Sequence, residues 1–260
     1  MLATNLVTVN LVYVIGGTDD KLPILARPHS PPTSLVLALQ PVRLVHRIGR
    51  NYAAHAKELN NAVPTEPFFF LKPTTSYLPN NGTVEIPKGI VAHYEVELGV
   101  VIGSARVRDV SAADAMQHVA GYTLSIDMTA RNLQDKVKAK GLPWSSAKGF
   151  DTFTPTSGFI DKSRVRDPSK LKLWLKVNDQ IKQNGPTSDM IFGIPELIEH
   201  VSSIMTLEEG DLLLTGTPQG VGEVKAGDVM YCGLEDQSGN LLEQLKINVA
   251  NRVGGFEFKL

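Results

Sequence analysis

Glu95 and Glu97 stand two residues apart in Tyr94-Glu95-Val96-Glu97-Leu98-Gly99-Val100-Val101-Ile102, a stretch whose alternation reads as a β-strand. Strand side chains alternate between faces, so both carboxylates point the same way from Cα atoms about 6.6 Å apart. That spacing lets them converge on one ion. A third carboxylate, Asp127, follows the apolar run Tyr122-Thr123-Leu124-Ser125-Ile126 and precedes a predicted helix. Functional residues concentrate at such junctions, where a loop is held by rigid elements. Three carboxylates form an all-oxygen set suited to a hard cation such as Mg²⁺, Mn²⁺ or Ca²⁺. Mg²⁺ takes about six oxygens, which would leave positions for water and substrate. Taken alone, alternating acids on a strand more often mark a sheet with one wet face. Gly99 and Val101 continue the acidic face here, so that face is not generally polar.

His55-Ala56-Lys57-Glu58 places a histidine and a glutamate three residues apart, neighbours on a helical turn. A carboxylate that accepts from one ring nitrogen fixes the tautomer and raises the basicity of the other, which makes a general base able to activate water. Asn51 and Asn60-Asn61 bracket this segment, so its helix is short and suited to moving as a lid. After Asp127, Arg131 and Gln134 stand at i and i+3, on one helical side with Asp135 following, and can face a substrate carboxylate. Lys148, between small and aromatic neighbours in Ala147-Lys148-Gly149-Phe150, is a candidate for stabilising an oxyanion. Thr215-Gly216-Thr217-Pro218 ends an apolar strand with backbone N–H groups and a hydroxyl that suit a carboxylate. Each of these features has an ordinary structural meaning by itself; their combination carries the chemistry.

The elements that must position these groups are mostly strands. Tyr122–Met128, Leu171–Val177 and Asp211–Thr215 read as strands, and Ala130–Lys140 as a helix stopped by Gly141 and Pro143. Ile194–Met205 reads as an amphipathic helix with Pro195 in its first turn. Many strands, few helices and no regular βα alternation predict an α+β fold. Residues 1–43, punctuated by Pro23, Pro28, Pro31, Pro32 and Pro41, read as an N-terminal extension or small appended element before a catalytic domain over residues 44–260.

Composition narrows the classes. Over 260 residues, 42% are hydrophobic and 20% charged, enough for a globular core. The formal net charge of -1, with no basic stripe, gives nucleic-acid binding no support. No apolar run has the length of a membrane span. The single cysteine, Cys232, excludes an intrachain disulfide framework and argues for a small core residue. Near the start, Asp19-Asp20 argue against a mitochondrial transit peptide, whereas Arg27, Arg43 and Arg47 argue for one.

In order along the chain, Ile48-Gly49-Arg50-Asn51-Tyr52-Ala53-Ala54-His55, Phe70-Leu71-Lys72-Pro73, Tyr94-Glu95-Val96-Glu97-Leu98 and Asp127-Met128-Thr129-Ala130-Arg131-Asn132 resemble the fumarylacetoacetate hydrolase family. So do Lys140-Gly141-Leu142-Pro143-Trp144, Ala147-Lys148 and Leu214-Thr215-Gly216-Thr217-Pro218. The likeness is to the acylpyruvase and oxaloacetate decarboxylase or tautomerase branch, and it runs from about residue 44 to near the C-terminus. It implies a mixed β-sandwich or β-roll with a few short helices, a homodimer, and Mg²⁺ or alternatively Mn²⁺. By resemblance, the metal carboxylates are Glu95, Glu97 and Asp127, and the catalytic groups are His55, Glu58 and Lys148. Substrate contacts are expected at Arg50, Arg131, Gln134 and Thr217. The implied substrate is a small 2-keto acid, processed through an enolate by acylpyruvate hydrolysis or oxaloacetate decarboxylation. Oxaloacetate keto-enol tautomerisation is the alternative main role. The resemblance also implies a mitochondrial location, with the cytoplasm as the alternative. A non-catalytic metabolite-binding protein of the same fold is the competing class; the joint presence of all six metal and catalytic residues weighs against it. Arg47, preceded by His46, departs from the family, which usually has a small or apolar residue there. It is expected to disturb the local strand and to leave the chemistry unaffected.

Overall fold

The run Val96–Ile102 is buried at every residue, on both of its faces. A strand with a solvated side is therefore ruled out, and the carboxylate at its second position lies inside the protein. The computed structural model describes residues 44–58 and 62–259. The extension expected over residues 1–43 lies outside the described residues.

The described strands, in chain order, are β1 (Val45–Gly49), β2 (Phe68–Lys72), β3 (Tyr77–Pro79), β4 (Thr83–Ile86), β5 (Ala92–Tyr94), β6 (Val96–Ile102), β7 (Val119–Ile126) and β8 (Thr129–Ala130). They continue with β9 (Thr154–Thr156), β10 (Ile160–Asp161), β11 (Lys172–Val177), β12 (Gln180–Pro186), β13 (Leu212–Leu214), β14 (Gly222–Val224), β15 (Val229–Glu235) and β16 (Leu241–Asn251). The helices are α1 (Ala53–Glu58), α2 (Arg131–Ala139), α3 (Ser145–Lys148) and α4 (Ile194–Ile204). Short helices among many strands confirm the expected α+β class.

A large mixed sheet runs β2-β1-β13-β6-β7-β9-β3, with β10 also pairing with β7. A second sheet runs β12-β11-β15-β16-β4, and a small one runs β14-β5-β8. The main core gathers Ile48, Val96, Leu98, Val100, Leu124, Ile126 and Leu213 of the large sheet with Leu173, Leu175, Leu234 and Ile247 of the second. Alternation sends the intervening residues to the other face, where Val45, Val101, Leu212 and Leu214 form a separate small apolar cluster. Glu97 and Gly99 belong to that face. Its apolar content explains why Gly99 and Val101 did not follow a wet pattern.

The stretch from Tyr94 to Ile102, expected as one strand, breaks at Glu95. Tyr94 pairs with Gly222 in the small sheet, whereas Val96 pairs with Ile126 in the large one. The chain changes sheets at Glu95, and Glu97 follows two residues later within β6. Asp127 sits at the matching change on the neighbouring strand, between β7 and β8, and its N–H donates to the Glu95 carbonyl at 2.8 Å. The strand expected around Arg47 is undisturbed: β1 pairs in parallel with β13 and antiparallel with β2, with Arg47 opposite Leu214 and Phe70. Cys232 is buried in β15, and burial pushes its thiol far above the ordinary range, consistent with a core role.

Leu98 is fully buried beside Glu97 and points into the main core. Truncation to Leu98→Ala is expected to cost ~2–5 kcal/mol through lost burial and a residual cavity. Urea denaturation measures this directly; a change below about 0.5 kcal/mol would mean that the core does not depend on this position.

Candidate active site

Glu95, Glu97 and Asp127 present oxygens that all lie within 4.8 Å of one another, and all three side chains are buried. Chemically this donor set fits a hard divalent ion, because it is entirely oxygen and can be fully ionised. Glu97 is oriented by the Gly216 N–H, which donates to Oε2 at 2.8 Å. Gly216 holds φ +98, and a Cβ there would meet Asn51 at 2.8 Å, so the close approach requires glycine. Asn51 braces the same turn by donating to the carbonyls of Thr215 and Phe192, each at 2.9 Å.

Four basic side chains surround the carboxylates. Arg47 donates through Nη2 to Glu95 and, at 2.5 Å, to Glu97; its Nε lies against Asp127 as an ion pair that is not aligned as a hydrogen bond. Lys72 donates to Asp127 at 2.5 Å and to the Phe153 carbonyl at 2.6 Å. Lys148 donates to Glu95 at 3.0 Å, to Thr129 Oγ1 at 2.5 Å and to Asp127. Arg131 donates to Glu95 at 2.7 Å and to Gln134 at 2.5 Å. Arg47, Lys72 and Lys148 are almost wholly buried, whereas Arg131 is partly open to solvent.

This packing sets the ionisation of the site. Burial raises the Glu95 carboxyl, but Arg47, Lys148 and Arg131 outweigh it and hold Glu95 well below the ordinary range. Burial also raises Glu97, and the nearby Asp127 and Glu95 add to it, so that even with Arg47 opposing it titrates at about 7. Burial lowers Lys72 to about 8 despite Asp127. Burial lowers Lys148 as well, helped by Arg47.

A cavity of about 310 Å³ opens beside this centre, its wall including Arg47, Arg50, His55, His93, Glu95 and Arg131. Gln134 and Trp144 complete much of the remainder. Of the three carboxylates only Glu95 reaches the wall; Glu97 and Asp127 lie behind Arg47. Burial lowers His55, with Glu95 opposing, which favours a neutral imidazole. Its Nδ1 is 3.5 Å from Glu58 Oε2, a long contact that substrate closure would need to shorten. Both Glu58 oxygens also accept from the Gly220 N–H at 3.1 Å, which ties α1 to the segment after β13.

The structure thus brings together Glu95, Glu97, Asp127, Lys148, Arg131 and Gln134, and places His55 and Arg50 on the adjoining cavity. Thr217 sits beside the centre but off the cavity wall: its hydroxyl donates to the Val96 carbonyl at 2.8 Å and accepts from Gln183 at 2.8 Å. Residue pattern gave Lys72 and Arg47 no place in the site. The signal in each case was a basic residue inside an apolar strand, Phe68-Phe69-Phe70-Leu71-Lys72 and Val45-His46-Arg47-Ile48. The strand that Arg47 was expected to disturb is regular, and the Arg47 side chain contacts all three carboxylates. A buried strand residue must project somewhere, and this one projects among the three carboxylates.

Residues 45–246 match the profile of the fumarylacetoacetate hydrolase C-terminal family. Mitochondrial oxaloacetate decarboxylase of Dictyostelium discoideum is 56% identical over 194 residues, covering 74% of this chain and 88% of the relative. A mitochondrial oxaloacetate tautomerase of Arabidopsis thaliana is 55% identical over 207 residues, covering 79% of this chain and 90% of its own length. Among solved structures, fumarylpyruvate hydrolase from Pseudomonas aeruginosa in complex with Mn²⁺ and pyruvate superposes with a TM-score of 0.74 at 35% identity, covering 82% of this chain and 91% of that one. A yeast fumarylacetoacetate hydrolase family protein gives 0.77 at 35% identity, covering 88% and 100%. The chain belongs to the fumarylacetoacetate hydrolase family and is an enzyme of that family, as the ordered motifs implied.

The raised Glu97 carboxyl generates a pH prediction. The folded state retains a proton that the unfolded chain releases, so this contribution to stability is complete below 4.5 and lost as pH rises through about 7. In ion-free protein, the wild type is expected to lose stability relative to Glu97→Gln across that window. Denaturant midpoints of the two proteins that run parallel with pH would contradict the assignment.

Proposed function

We propose that this enzyme acts on small 2-keto acids, with oxaloacetate and acylpyruvates as its substrates and an enolate at C3 as the common species. The observation that carries this reading is the cavity of about 310 Å³ that joins His55 and Arg131 to the carboxylate centre. Its size suits a small acid, and its basic wall suits a dianion. The names of the relatives, oxaloacetate decarboxylase, oxaloacetate tautomerase and a fumarylpyruvate hydrolase seen with Mn²⁺ and pyruvate, support the same substrate class.

Glu95, Glu97 and Asp127 would hold Mg²⁺ or Mn²⁺. When bound, the ion supplies a Lewis acid for the negative charge that develops on the 2-keto oxygen. Arg131, backed by Gln134, binds the substrate carboxylate, and Arg50, which lines the same cavity, contributes a second positive charge. With oxaloacetate, breaking the C3–C4 bond releases CO₂ and leaves the electron pair in the enolate. Removing a C3 proton at His55 without C–C cleavage, and returning it to oxygen, gives the enol instead. With an acylpyruvate, neutral His55, oriented by Glu58, takes a proton from water as it attacks the distal carbonyl; the C–C bond then breaks towards pyruvate enolate. Lys148, whose three hydrogens are committed to Glu95, Asp127 and Thr129, keeps the carboxylates ionised and becomes an oxyanion donor only if it exchanges one of these partners. Thr217 fixes the turn that orients Glu97.

The same reading takes the chain as a mitochondrial homodimer. The relatives' names support the compartment. Phe68-Phe69-Phe70 on β2, at the edge of the large sheet, supports association.

Turnover of oxaloacetate, acetylpyruvate and fumarylpyruvate at saturating Mg²⁺, lost on chelation, is the expected result. Failure with all three would instead favour a metabolite-binding protein. His55→Ala is expected to reduce acylpyruvate hydrolysis by about 100-fold or more and decarboxylation by much less, because only hydrolysis requires activated water. An equal loss in both reactions would overturn that division of roles.

A further inference from the structure

We propose that Arg47 is a resident cation of the carboxylate centre, whose guanidinium and a divalent ion bind the three carboxylates in mutually exclusive fashion. The proposal rests on the geometry of this centre and not on the identity of the substrate.

Arg47 pairs with all three members of the triad at once. The same oxygens that would ligate an ion are therefore already bound to one positively charged group. The side chain is also fixed at its base. It is 3% exposed, its strand is hydrogen-bonded on both sides, and its guanidinium carbon lies 5.3 Å from the centre of the Phe70 ring. The backbone cannot retreat without breaking the large sheet, so the guanidinium can leave only by rotating into the cavity whose wall it already forms.

Charge opposes both ways of accommodating an ion. Arg47, Lys72, Lys148 and Arg131 pair with three carboxylates, leaving the centre one positive charge in excess when all are ionised. Adding a dication beside Arg47 would raise that excess to three in a buried site, where charge separation from water is costly. Rotating Arg47 outward lowers that excess to two at the carboxylates but moves its charge towards Arg50 and Arg131 on the cavity wall. Asp135 is the acidic residue on that wall available to receive it besides Glu95. Neutral residues at this position would impose neither penalty. The consequence is a centre that keeps its carboxylates ordered without an ion and admits one only by displacing Arg47.

The test compares ion-stripped wild type with Arg47→Met, which keeps a long apolar stem beside Phe70 and removes the charge. Isothermal titration with MnCl₂ is expected to show binding about 100-fold or more tighter in the variant. Thermal melts should show the variant stabilised by Mn²⁺ at concentrations that leave the wild-type Tm unchanged. Equal affinities, or tighter binding by the wild type, would overturn the proposal. If Arg47→Met does not fold without an ion, the wild type decides the matter alone: Mn²⁺ binding followed by electron paramagnetic resonance should remain unsaturated at micromolar free ion, and saturation there would refute the exclusion. Neither readout depends on turnover, so absence of activity on keto acids leaves the result interpretable.

Discussion

Three ionised carboxylates buried within a few ångströms of one another cannot exist in a protein interior without compensating charge. The penalty for moving one such ion from water is several kcal/mol even after relaxation. Glu95, Glu97 and Asp127 have at most 2% exposure, so the surrounding structure is organised around their neutralisation. Arg47, Lys72, Lys148 and Arg131 supply it from four separate elements, β1, β2, α3 and α2. Glu97, with burial and two acidic neighbours against it, is the member whose proton is most weakly excluded.

The fold meets this constraint by changing sheets at the site. At Glu95 the chain passes from the small sheet to the large one, and at Asp127 it passes back from the large sheet to the small one. The two crossings are tied by the Asp127 N–H to Glu95 carbonyl bond. There Glu95 and Asp127 meet Glu97 of β6, with oxygens of all three within 4.8 Å of one another. The turn after β13 closes the third side, with Gly216 close enough to Asn51 that a side chain would not fit. The rigid frame lies behind the carboxylates. The cavity lies in front, with His55 and Glu58 on a six-residue helix fastened to Gly220.

Much of this was legible in the residues. The spacing of Glu95 and Glu97, the strand ending at Asp127, the helix bearing Arg131 and Gln134 and the His55-Glu58 pair are local patterns, and local geometry reproduced them. Lys72 and Arg47 were not legible, because a basic residue inside an apolar strand has no partner within reach along the chain. Their carboxylates lie far away in sequence, and hydrophobic periodicity identifies a strand without identifying what each of its faces meets. Thr217 shows what residue type leaves open. A hydroxyl in a glycine turn suited a ligand by type, but Gln183 from another sheet and the Val96 carbonyl occupy it.

The sequence by itself determined the donor chemistry, the α+β class and the family, because these follow from residue types, short spacings and motif order. The tertiary structure decided where the charges meet. It placed Glu97 on a face enclosed by a second apolar cluster, which turned alternating acids from a wet-face pattern into a buried centre. It also carried Arg47, by strand register with Phe70 and Leu214, into the middle of that centre. Register and sheet order bring residues 47, 72, 95, 97, 127 and 148 to one point, and no local rule encodes that convergence, since it depends on the packing of the whole chain.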